Sequence, residues 1–355
     1  MPFCTALEPE SLVEQFLAHP PKGFTAGRSA SGMPTFHTRF DVLTTADEAL
    51  RRRVTSLPLY RVWGRLLHWR VRFAGCTVTE YAPVPVRPAA DDLVAELLEA
   101  HGRECPLLIV KDLAVDSPLL NASANARTGA FAAALAARGF VILEGMPLAW
   151  VPIDFASVDE YIARLSSSRR KDIRRKLKAR SRVQVEALAT GSAYFESDAA
   201  IDECYALYRN VHAQSEIHFD LLTKDFFTAL LRDARSHGVV FMYRGTDGLI
   251  GWNLCYEYGG MLIDKYIGFA YPQAREHNLY AVSWVHNLEY ARQRGLSHYV
   301  AGWTDPEVKT RLGARLSYTR HAVYLRHPLL RMLLRRFARH FEGEPVANGR
   351  VGVCA

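Results

Sequence analysis

The sequence predicts an α/β protein of the α+β kind, in which helices flank a mixed, mostly antiparallel sheet. Strand-like and helix-like segments alternate in the first half of the chain, which is typical of such folds. In the last third, two glycines separate strand-like segments 249–258 and 261–269, and this spacing suits a tight hairpin. A long helix over 279–294 then leads to a short strand at 298–301, so a helical crossover is expected.

In the first half, each element is predicted from its periodicity and its turn residues. Residues 20–34 are rich in Pro, Gly and Ser and show no clear pattern. The predicted elements are a helix at 47–54, a strand within 67–81, a proline-rich linker at 83–88, a helix at 91–101, a strand at 107–112, a helix at 126–138 and a strand at 140–144. Because 355 residues exceed the usual size of one domain, two domains or two fused half-domains are expected.

The second half is predicted to contain a meander of three strands, ending with the hairpin described above. Its earlier elements are a strand at 183–188, helices at 198–215 and 223–237, and a strand at 239–243. Asp247 and Gly248 supply the positive φ that a hairpin after residue 243 requires. Near the end, Asp305-Pro306 predicts a helix cap and first turn ahead of Lys309, and a final strand follows.

A strongly basic stretch connects the two halves. Between Arg164 and Arg182 there are ten Lys or Arg residues and a single acid, Asp172. Apolar residues near helical spacing predict an exposed basic helix over 158–180. This helix is either a solvated surface or an anion-binding one. Two weaker clusters, Arg51 to Arg72 and Arg326 to Arg339, also contain no acid.

Composition narrows the class of partner and the compartment. The formal net charge of +7 and the pI near 9.1 favour an anionic partner: a nucleotide-bearing cofactor, RNA or a membrane surface. The six cysteines lie far apart without a C-x-x-C pair, which favours a reduced cytoplasmic interior. The N-terminal residues do not resemble a signal peptide, and no apolar window is long enough for a transmembrane segment. The sequence therefore predicts a soluble, cytoplasmic protein.

The sequence lacks the motifs of several other catalytic and phosphate-binding sites. It contains no G-x-S-x-G elbow, no G-x-x-x-x-G-K-[ST] phosphate loop and no G-x-G-x-x-G after a strand. Glu216, His218 and Asp220 alternate in a way that could suggest a metal site, but no second set of ligands completes it. We therefore expect no bound metal, and we expect a polar turn at a helix end there.

The order of elements and two local segments resemble the GNAT superfamily of N-acyltransferases, in particular FemAB-like and double-GNAT proteins. The stretch 165–177 is similar to the basic helix of FemAB-like proteins. The segment 290–295, together with Gly302 and Lys309-x-x-x-Gly313, is similar to the closing helix, strand and lysine-containing loop of the superfamily. The resemblance implies a degenerate GNAT-like half at 1–150, a GNAT domain at 151–340 that includes the basic linking helix 158–180, and a tail at 341–355.

The resemblance also implies acyl-CoA as a co-substrate, with one departure from the pattern. GNAT enzymes present a glycine-rich turn ahead of the crossover helix, whereas the segment 271–278 of this chain has no glycine. Gln273, Arg275 and the expected N-cap Asn278 could contact the donor through side chains and the helix dipole instead. A polar turn with a capped helix explains the same residues. Resemblance places Lys309 beside the donor, as a point cation for phosphate or for the developing oxyanion; the alternative is a solvated surface lysine.

The chemistry of acyl transfer suggests the remaining site residues. An amine must lose a proton, align with the carbonyl and meet a group that stabilises the oxyanion. Strict alternation along 261–269 places Asp264 and Tyr266 on one face of the strand. Asp264 is the candidate base or amine-orienting group, Tyr266 the candidate proton donor to the leaving thiol, and Glu257 a third candidate. Each could instead be a hydrogen-bonded structural residue.

These observations predict an N-acyltransferase that moves an acyl group from acyl-CoA, or a similar activated carrier, directly to a small-molecule or carrier-bound amine. One alternative keeps the fold and changes the donor to aminoacyl-tRNA, because a basic surface suits that polyanion. Another alternative is a non-catalytic module that binds anions or nucleic acid. The missing glycines favour that second alternative.

Overall fold

The computed structural model describes residues 3–41, 43, 48–215, 219–246 and 248–338. These residues form two compact units. The N-terminal unit contains 3–6, 16–147 and 317–338, and the C-terminal unit contains 7–15 and 148–316. The predicted tail, 341–355, the turn residue Asp247 and the pair Glu216 and His218 lie outside the described residues.

The secondary structure has the mixed α/β composition that the sequence predicts. The strands are β1 Thr25–Arg28, β2 Pro34–Asp41, β3 His68–Ala74, β4 Leu107–Leu113, β5 Val141–Pro152, β6 Gln184–Ala189, β7 Gly238–Gly245, β8 Gly248–Tyr258, β9 Met261–Phe269, β10 His298–Gly302 and β11 Arg315–Leu325. The α-helices are α1 Glu10–Ala18, α2 Glu48–Thr55, α3 Tyr60–Trp63, α4 Ala90–His101, α5 Ala122–Ala137, α6 Val158–Ala163, α7 Ser167–Leu177, α8 Asp198–Gln214, α9 Lys224–Leu231, α10 Gln273–Glu276, α11 Leu279–Gln293, α12 Pro306–Leu312 and α13 Pro328–Arg336.

In the N-terminal unit, β1, β2 and β3 pair antiparallel in succession, β3 and β4 pair parallel, and β4 pairs antiparallel with β11. Helices α4 and α5 bury Leu93, Leu97, Phe131 and Leu135 against strand residues such as Val110. The apolar positions on α4 recur at helical spacing, so one face of the helix covers the sheet.

The sequence pattern does not predict α1, β1 or β2, although all three are present. The stretch 20–34, which shows no clear sequence pattern, contains β1 and the start of β2. Met33 and Ser29 close the turn, with the Ser29 N–H donating to the Met33 carbonyl. Phe36 of β2 stacks on Phe73 of β3 at 4.7 Å between ring centroids. Tertiary packing of one phenylalanine column therefore stabilises strands whose local sequence carries little signal.

In the C-terminal unit, the predicted meander is confirmed. Strands β6, β7, β8 and β9 pair antiparallel in succession, β9 pairs parallel with β10, and β10 pairs antiparallel with β5. Neighbouring side chains of β8 face different helices: the Trp252 indole donates to the Cys204 carbonyl of α8, and Asn253 meets Asn287 of α11. Because successive strand residues point to opposite faces, α8 and α11 cover opposite faces of this sheet.

The predicted single basic helix over 158–180 is two helices followed by a 3₁₀ turn. Ser157 caps α6 by accepting from the Glu160 N–H, and the chain turns before α7 begins at Ser167. Helix α7 buries only Ile173 and exposes Lys171, Arg174 and Arg175. The 3₁₀ turn Lys178–Arg182 follows, and its Arg180 pairs with Glu289 of α11. The break falls at Ser166, whose backbone is extended and whose side chain makes no capping hydrogen bond.

Candidate active site

Strands β9 and β10 pair over three residues and then part. The parallel pairs are His298 with Met261, Tyr299 with Leu262, and Val300 with Ile263. Strand β9 continues to Phe269 and stays paired with β8 throughout, whereas β10 ends two residues later at Gly302, with φ of +79°. Within the described ranges, the second half of β9 therefore has no β10 partner. We call this opening the strand gap.

A β-bulge lies at the start of the strand gap. Asp264 pairs with Cys255 and Tyr266 pairs with Leu254, so Lys265 is an extra residue with no partner of its own on β8. Partners that are consecutive on β8 point to opposite faces, and so do Asp264 and Tyr266. The prediction that these two side chains share a face is therefore wrong. Strict alternation fails because the bulge inserts one residue.

The Asp264 carboxylate is held by three donors from three elements. Its Oδ1 accepts from Asn253 Nδ2 of β8 at 2.6 Å. Its Oδ2 accepts from the Tyr299 hydroxyl of β10 at 2.7 Å and from Asn287 Nδ2 of α11 at 3.3 Å. Asn287 also donates to Asn253 Oδ1 at 2.8 Å. This network fixes the carboxylate where the strand gap opens.

The groups next to Asp264 keep their protons. Burial, reinforced by the Asp264 charge, raises the pKa of the Tyr299 hydroxyl well above its ordinary value. Burial and the same charge also raise the pKa of the Cys255 thiol. Tyr299 therefore remains a donor to the carboxylate at neutral pH, and Cys255 is a thiol rather than a nucleophilic thiolate.

Tyr266 lies on the other face, among the aromatic side chains of α9. Its ring meets those of Phe226 and Phe227 edge-on, at 6.0 and 5.3 Å between centroids. The structure does not bring Tyr266 onto the face that carries the Asp264 network. Its proposed role as proton donor stays a prediction.

Glu257 of β8 lies opposite Leu262, in the part of β9 that is still paired with β10. It accepts from the Tyr290 hydroxyl at 2.6 Å and from Arg294 Nε at 3.0 Å. Burial, together with the hydrogen bond to Glu257, raises the pKa of Tyr290 to about 12. Glu257 and Tyr290 line a shallow depression of about 280 Å³ that also includes His237. The structure therefore places Glu257 away from the strand gap.

Lys309 lies at the β10 side of the strand gap. The residue is 5% exposed, which excludes the solvated surface lysine considered from the sequence. Helix α12 begins at Pro306, as predicted, but Asp305 at its N-cap position is left-handed with φ of +50° and its side chain makes no capping hydrogen bond. The Lys309 Nζ and the Asp264 carbonyl oxygen both lie 3.8 Å from the position that a Cβ on Gly302 would occupy. A buried cation and the strand that carries Asp264 thus meet at the same glycine.

The predicted donor contacts lie between β9 and α11. The segment without glycine folds into the single turn α10, which carries Gln273 and Arg275. Arg275 donates to Gln214 Oε1 at 2.8 Å, and its guanidinium lies over the Tyr271 ring. Asn278 occupies the N-cap position of α11 in a left-handed conformation, but its side chain makes no capping hydrogen bond. The expectation of a side-chain cap by Asn278 is therefore wrong, because at φ of +48° the residue turns the chain instead.

The sequence motifs do not point to three residues that shape the site, namely Asn253, Asn287 and Tyr299. Tyr280 is the second residue of α11, and burial together with the charges of Asp305 and Asp264 raises the pKa of its hydroxyl. One signal was available in the sequence. Asn253 interrupts the otherwise apolar run of β8, and a buried amide requires a polar partner.

A scan against protein families matches one family over residues 95–347. That family is FemAB_like, described as peptidoglycan biosynthesis/recognition. The chain belongs to the FemAB-like family. A search of curated protein sequences finds no match.

Solved structures similar to this FemAB-like chain share its fold at low identity. One is the C-terminal domain of a protein named as a lysylphosphatidylglycerol synthetase from Agrobacterium fabrum, with a TM-score of 0.54 and 12% identity over 95% of this chain and 92% of that one. Another is L-PGS from Bacillus licheniformis, with a TM-score of 0.53 and 9% identity over 94% and 98%. FemX has a TM-score of 0.50 and 12% identity over 92% and 98%.

No helix in the described part is both long and apolar enough to cross a bilayer. Across the same residues, no group of three or more His, Cys, Asp or Glu side chains is arranged to hold a metal ion. The expectation that the protein binds no metal stays a prediction.

Proposed function

We propose that this FemAB-like protein is an N-acyltransferase that moves an acyl group from acyl-CoA, or a similar activated carrier, directly to an amine. The strand gap is the observation that carries the proposal. It opens next to a carboxylate held by three donors, on Asp264, and ends at a glycine beside the buried ammonium of Lys309. Membership of the FemAB-like family supports a transferase of this general type.

Each side of the strand gap suits one requirement of acyl transfer. The fixed Asp264 carboxylate can orient an attacking ammonium and accept its proton, because its oxygens already have defined positions. Lys309 supplies a cation that can neutralise a phosphate or the oxyanion formed on the carbonyl. In this proposal, Gln273, Arg275 and the start of α11 would offer side-chain donors and the positive end of a helix to the donor phosphates. Tyr280 offers a protonated hydroxyl at that helix start.

A second donor is favoured by a specific observation. Helix α7 and the 3₁₀ turn after it expose Lys171, Arg174, Arg175 and Lys178, and this basic surface suits the phosphates of a charged tRNA. The segment 271–278 also lacks the glycines that would let backbone amides approach a pyrophosphate. In this alternative the carrier is aminoacyl-tRNA, and the acceptor amine uses the same Asp264.

Thermal-shift measurements with acetyl-CoA, longer acyl-CoAs and charged tRNA distinguish the donors. A true donor at about 100 times its dissociation constant adds about 2.7 kcal/mol to the free energy of unfolding. Mass spectrometry of the product then identifies the acyl group. Replacing Arg174 and Arg175 by Gln should weaken binding of a tRNA donor and leave binding of acyl-CoA unchanged, because the two donors differ in how many phosphates they present.

Two substitutions test the site itself. Asp264→Asn should abolish most turnover while the fold is retained, since the amide cannot accept the proton of the amine. Lys309→Met should weaken use of the donor, whereas Lys22→Met removes an exposed cation outside the proposed donor surfaces and serves as the control. If no donor raises the melting temperature and both variants behave like the unmodified protein, the proposal is replaced by a non-catalytic anion-binding module.

A further inference from the structure

Helix α13 of the N-terminal unit has its apolar face turned towards solvent. Leu329, Met332 and Leu333 recur at helical spacing and are between 46% and 61% exposed. The arginine between them points inwards, since the Arg331 guanidinium lies 4.5 Å from the Tyr324 ring centroid. An amphipathic helix of a folded domain normally has the reverse orientation. Among the described residues this apolar face is therefore left largely exposed.

A second apolar segment, residues 57–67, has the same character. Leu59, Val62 and Leu66 are between 71% and 75% exposed, more than the apolar residues of α13. The indole of Trp63 donates to the Pro58 carbonyl at 2.9 Å, which holds the segment in a compact turn. Three large aliphatic side chains on one short turn form a patch, whereas single exposed leucines are ordinary.

The strand register places the points where both segments join the sheet at one end of strands β3, β4 and β11. We call this end of the N-terminal sheet the strand-end edge. Leu107 of β4 pairs with Val71 of β3 on one side and with Leu325 of β11 on the other. Strand β3 begins immediately after the first segment, and α13 begins three residues after β11 ends. Because neighbouring strands lie about 4.8 Å apart, the start of β3 and the end of β11 lie on the order of 10 Å from each other. The Arg326 N–H donates to the Pro106 carbonyl, and this hydrogen bond holds the end of β11 beside the start of β4.

The strand-end edge is rich in arginine. No acid occurs between Arg51 and Arg72 or between Arg326 and Arg336. Arg61, Arg65, Arg335 and Arg336 are exposed beside the apolar side chains. An acid near this edge, Glu104, is paired with Arg72 and His101. The patch therefore combines exposed aliphatic groups with positive charge.

We propose that this edge of the N-terminal unit docks onto the surface of an anionic lipid bilayer. The leucines, Val62 and Met332 would enter the boundary between headgroups and acyl chains, and the arginines would meet lipid phosphates. RNA fits less well, because aliphatic side chains gain nothing from its phosphates, and exposed stacking aromatics would be expected instead. A second copy of the same edge would bring arginines against arginines.

Vesicle flotation with the full-length protein tests the proposal. We expect binding to phosphatidylcholine vesicles that contain about one-third phosphatidylglycerol, and little binding to pure phosphatidylcholine. The triple variant L329Q/M332Q/L333Q and the triple variant L59Q/V62Q/L66Q should each lower the partition coefficient by about tenfold or more. The matched control V86Q replaces an exposed valine of the same unit and should bind like the unmodified protein.

Charge and insertion can be separated. Replacing Arg335 and Arg336 by Gln should lower binding by about fivefold for each arginine at low salt, since each contributes through the surface potential. Quenching of Trp63 fluorescence by brominated acyl chains, lost in Trp63→Phe, reports insertion in a protein whose apolar patch is intact. This measurement covers the case in which a triple variant is misfolded.

Four results would overturn the proposal. These are the absence of vesicle binding by the full chain, equal binding to neutral and anionic vesicles, binding that both triple variants retain, and self-association in ultracentrifugation that the triple variants abolish. The last result would identify the patch as an interface between copies. Tight RNA binding that persists in the triple variants while vesicle binding is absent would identify a nucleic-acid surface.

Discussion

At the scale of single residues, Asp264 depends on side chains that are distant in sequence. Asn253, Asn287 and Tyr299 each donate to it or to one another, and each comes from a different element. A carboxylate held in this way has little freedom to rotate, which suits a group that must orient an amine. The residues around the carboxylate therefore matter as much as the carboxylate itself.

Tyr299→Phe isolates one of these hydrogen bonds. The ring remains, but the hydroxyl that donates to Asp264 is lost, so we expect the free energy of unfolding to fall by about 1.5–3 kcal/mol. We also expect a lower kcat with little change in KM, since the carboxylate loses its orientation. Urea denaturation and steady-state kinetics measure the two effects. Tyr290→Phe is the control, because its hydroxyl serves Glu257 outside the strand gap and its loss should leave kcat unchanged.

His286 of α11 predicts a pH dependence of stability. Burial, aided by the charge of Arg180, lowers its pKa to about 4 from an ordinary value of 6.5. The unfolded chain therefore binds the proton more tightly than the folded protein does between these two pH values. The stabilisation is complete above pH 6.5 and is lost as the pH falls towards 4, by about 3 kcal/mol in total.

His286→Phe should remove that part of the pH dependence. Phenylalanine can keep the edge-on contact with Phe241, so the variant should fold. We expect its free energy of unfolding to change less than that of the unmodified protein between pH 6.5 and 4, as measured by denaturant titration at each pH. The variant His68→Gln replaces an exposed histidine and should follow the unmodified curve. Parallel curves for His286→Phe and the unmodified protein would contradict the assignment.

At the scale of elements, the strand gap depends on how β10 ends. Gly302 has φ of +79°, and a Cβ there would have only ordinary contacts with Lys309 Nζ and the Asp264 carbonyl. Backbone strain is therefore the main penalty of a side chain at this position. The same glycine directs the chain out of the sheet towards α12, which carries Lys309.

Gly302→Ala should lower the free energy of unfolding by about 1–2 kcal/mol, because alanine is strained at positive φ. It should also weaken donor binding, since the end of β10 must shift. Gly295→Ala provides a matched control: Gly295 has φ of +66° and no atom near the added Cβ. It should show a similar loss of stability with unchanged donor binding. Equal donor binding by both variants would separate Gly302 from the site.

Elements with a strong local pattern can be predicted from the sequence, whereas features that depend on strand register cannot. Strands β7 to β10 and helix α11 were predicted because their apolar periodicity is strong and their turns carry glycine. The bulge at Lys265 could not be predicted, because it exists only in the register between β9 and β8. The sequence points to Asp264 and Lys309 as candidates. It places Tyr266 on the wrong face, because strict alternation does not include the bulge. Hairpin β1–β2 was missed because its stability comes from contacts with β3.

At the scale of the whole molecule, a buried ion pair joins residues far apart in the chain. Lys265, the bulge residue, pairs with Glu8 at 3.0 Å, and both side chains are at most 5% exposed. Glu8 precedes α1 and belongs to the C-terminal unit, although the residues around this segment in sequence belong to the other unit. The pair therefore fixes the start of the chain to the bulge beside the strand gap.

Glu8→Gln tests the importance of this pair. It leaves the buried Lys265 ammonium without that anion, so we expect the free energy of unfolding to fall by about 3–5 kcal/mol. The double variant Glu8→Leu with Lys265→Met removes both charges and should recover much of the loss, because apolar residues of similar size pack in their place. Chemical denaturation measures both variants. A single variant as stable as the unmodified protein would show that the pair contributes little.

The division of the chain between the units has a consequence for synthesis on the ribosome. Strand β11 pairs with β4 in the N-terminal unit, yet it is translated after nearly all of the C-terminal unit. A nascent chain that ends before Leu325 lacks the complete β11 strand of the N-terminal unit, although residues 16–147 of that unit have already been synthesised. Its β4 then presents an open edge with unpaired backbone groups, which is where a chaperone or an unwanted neighbouring chain would attach.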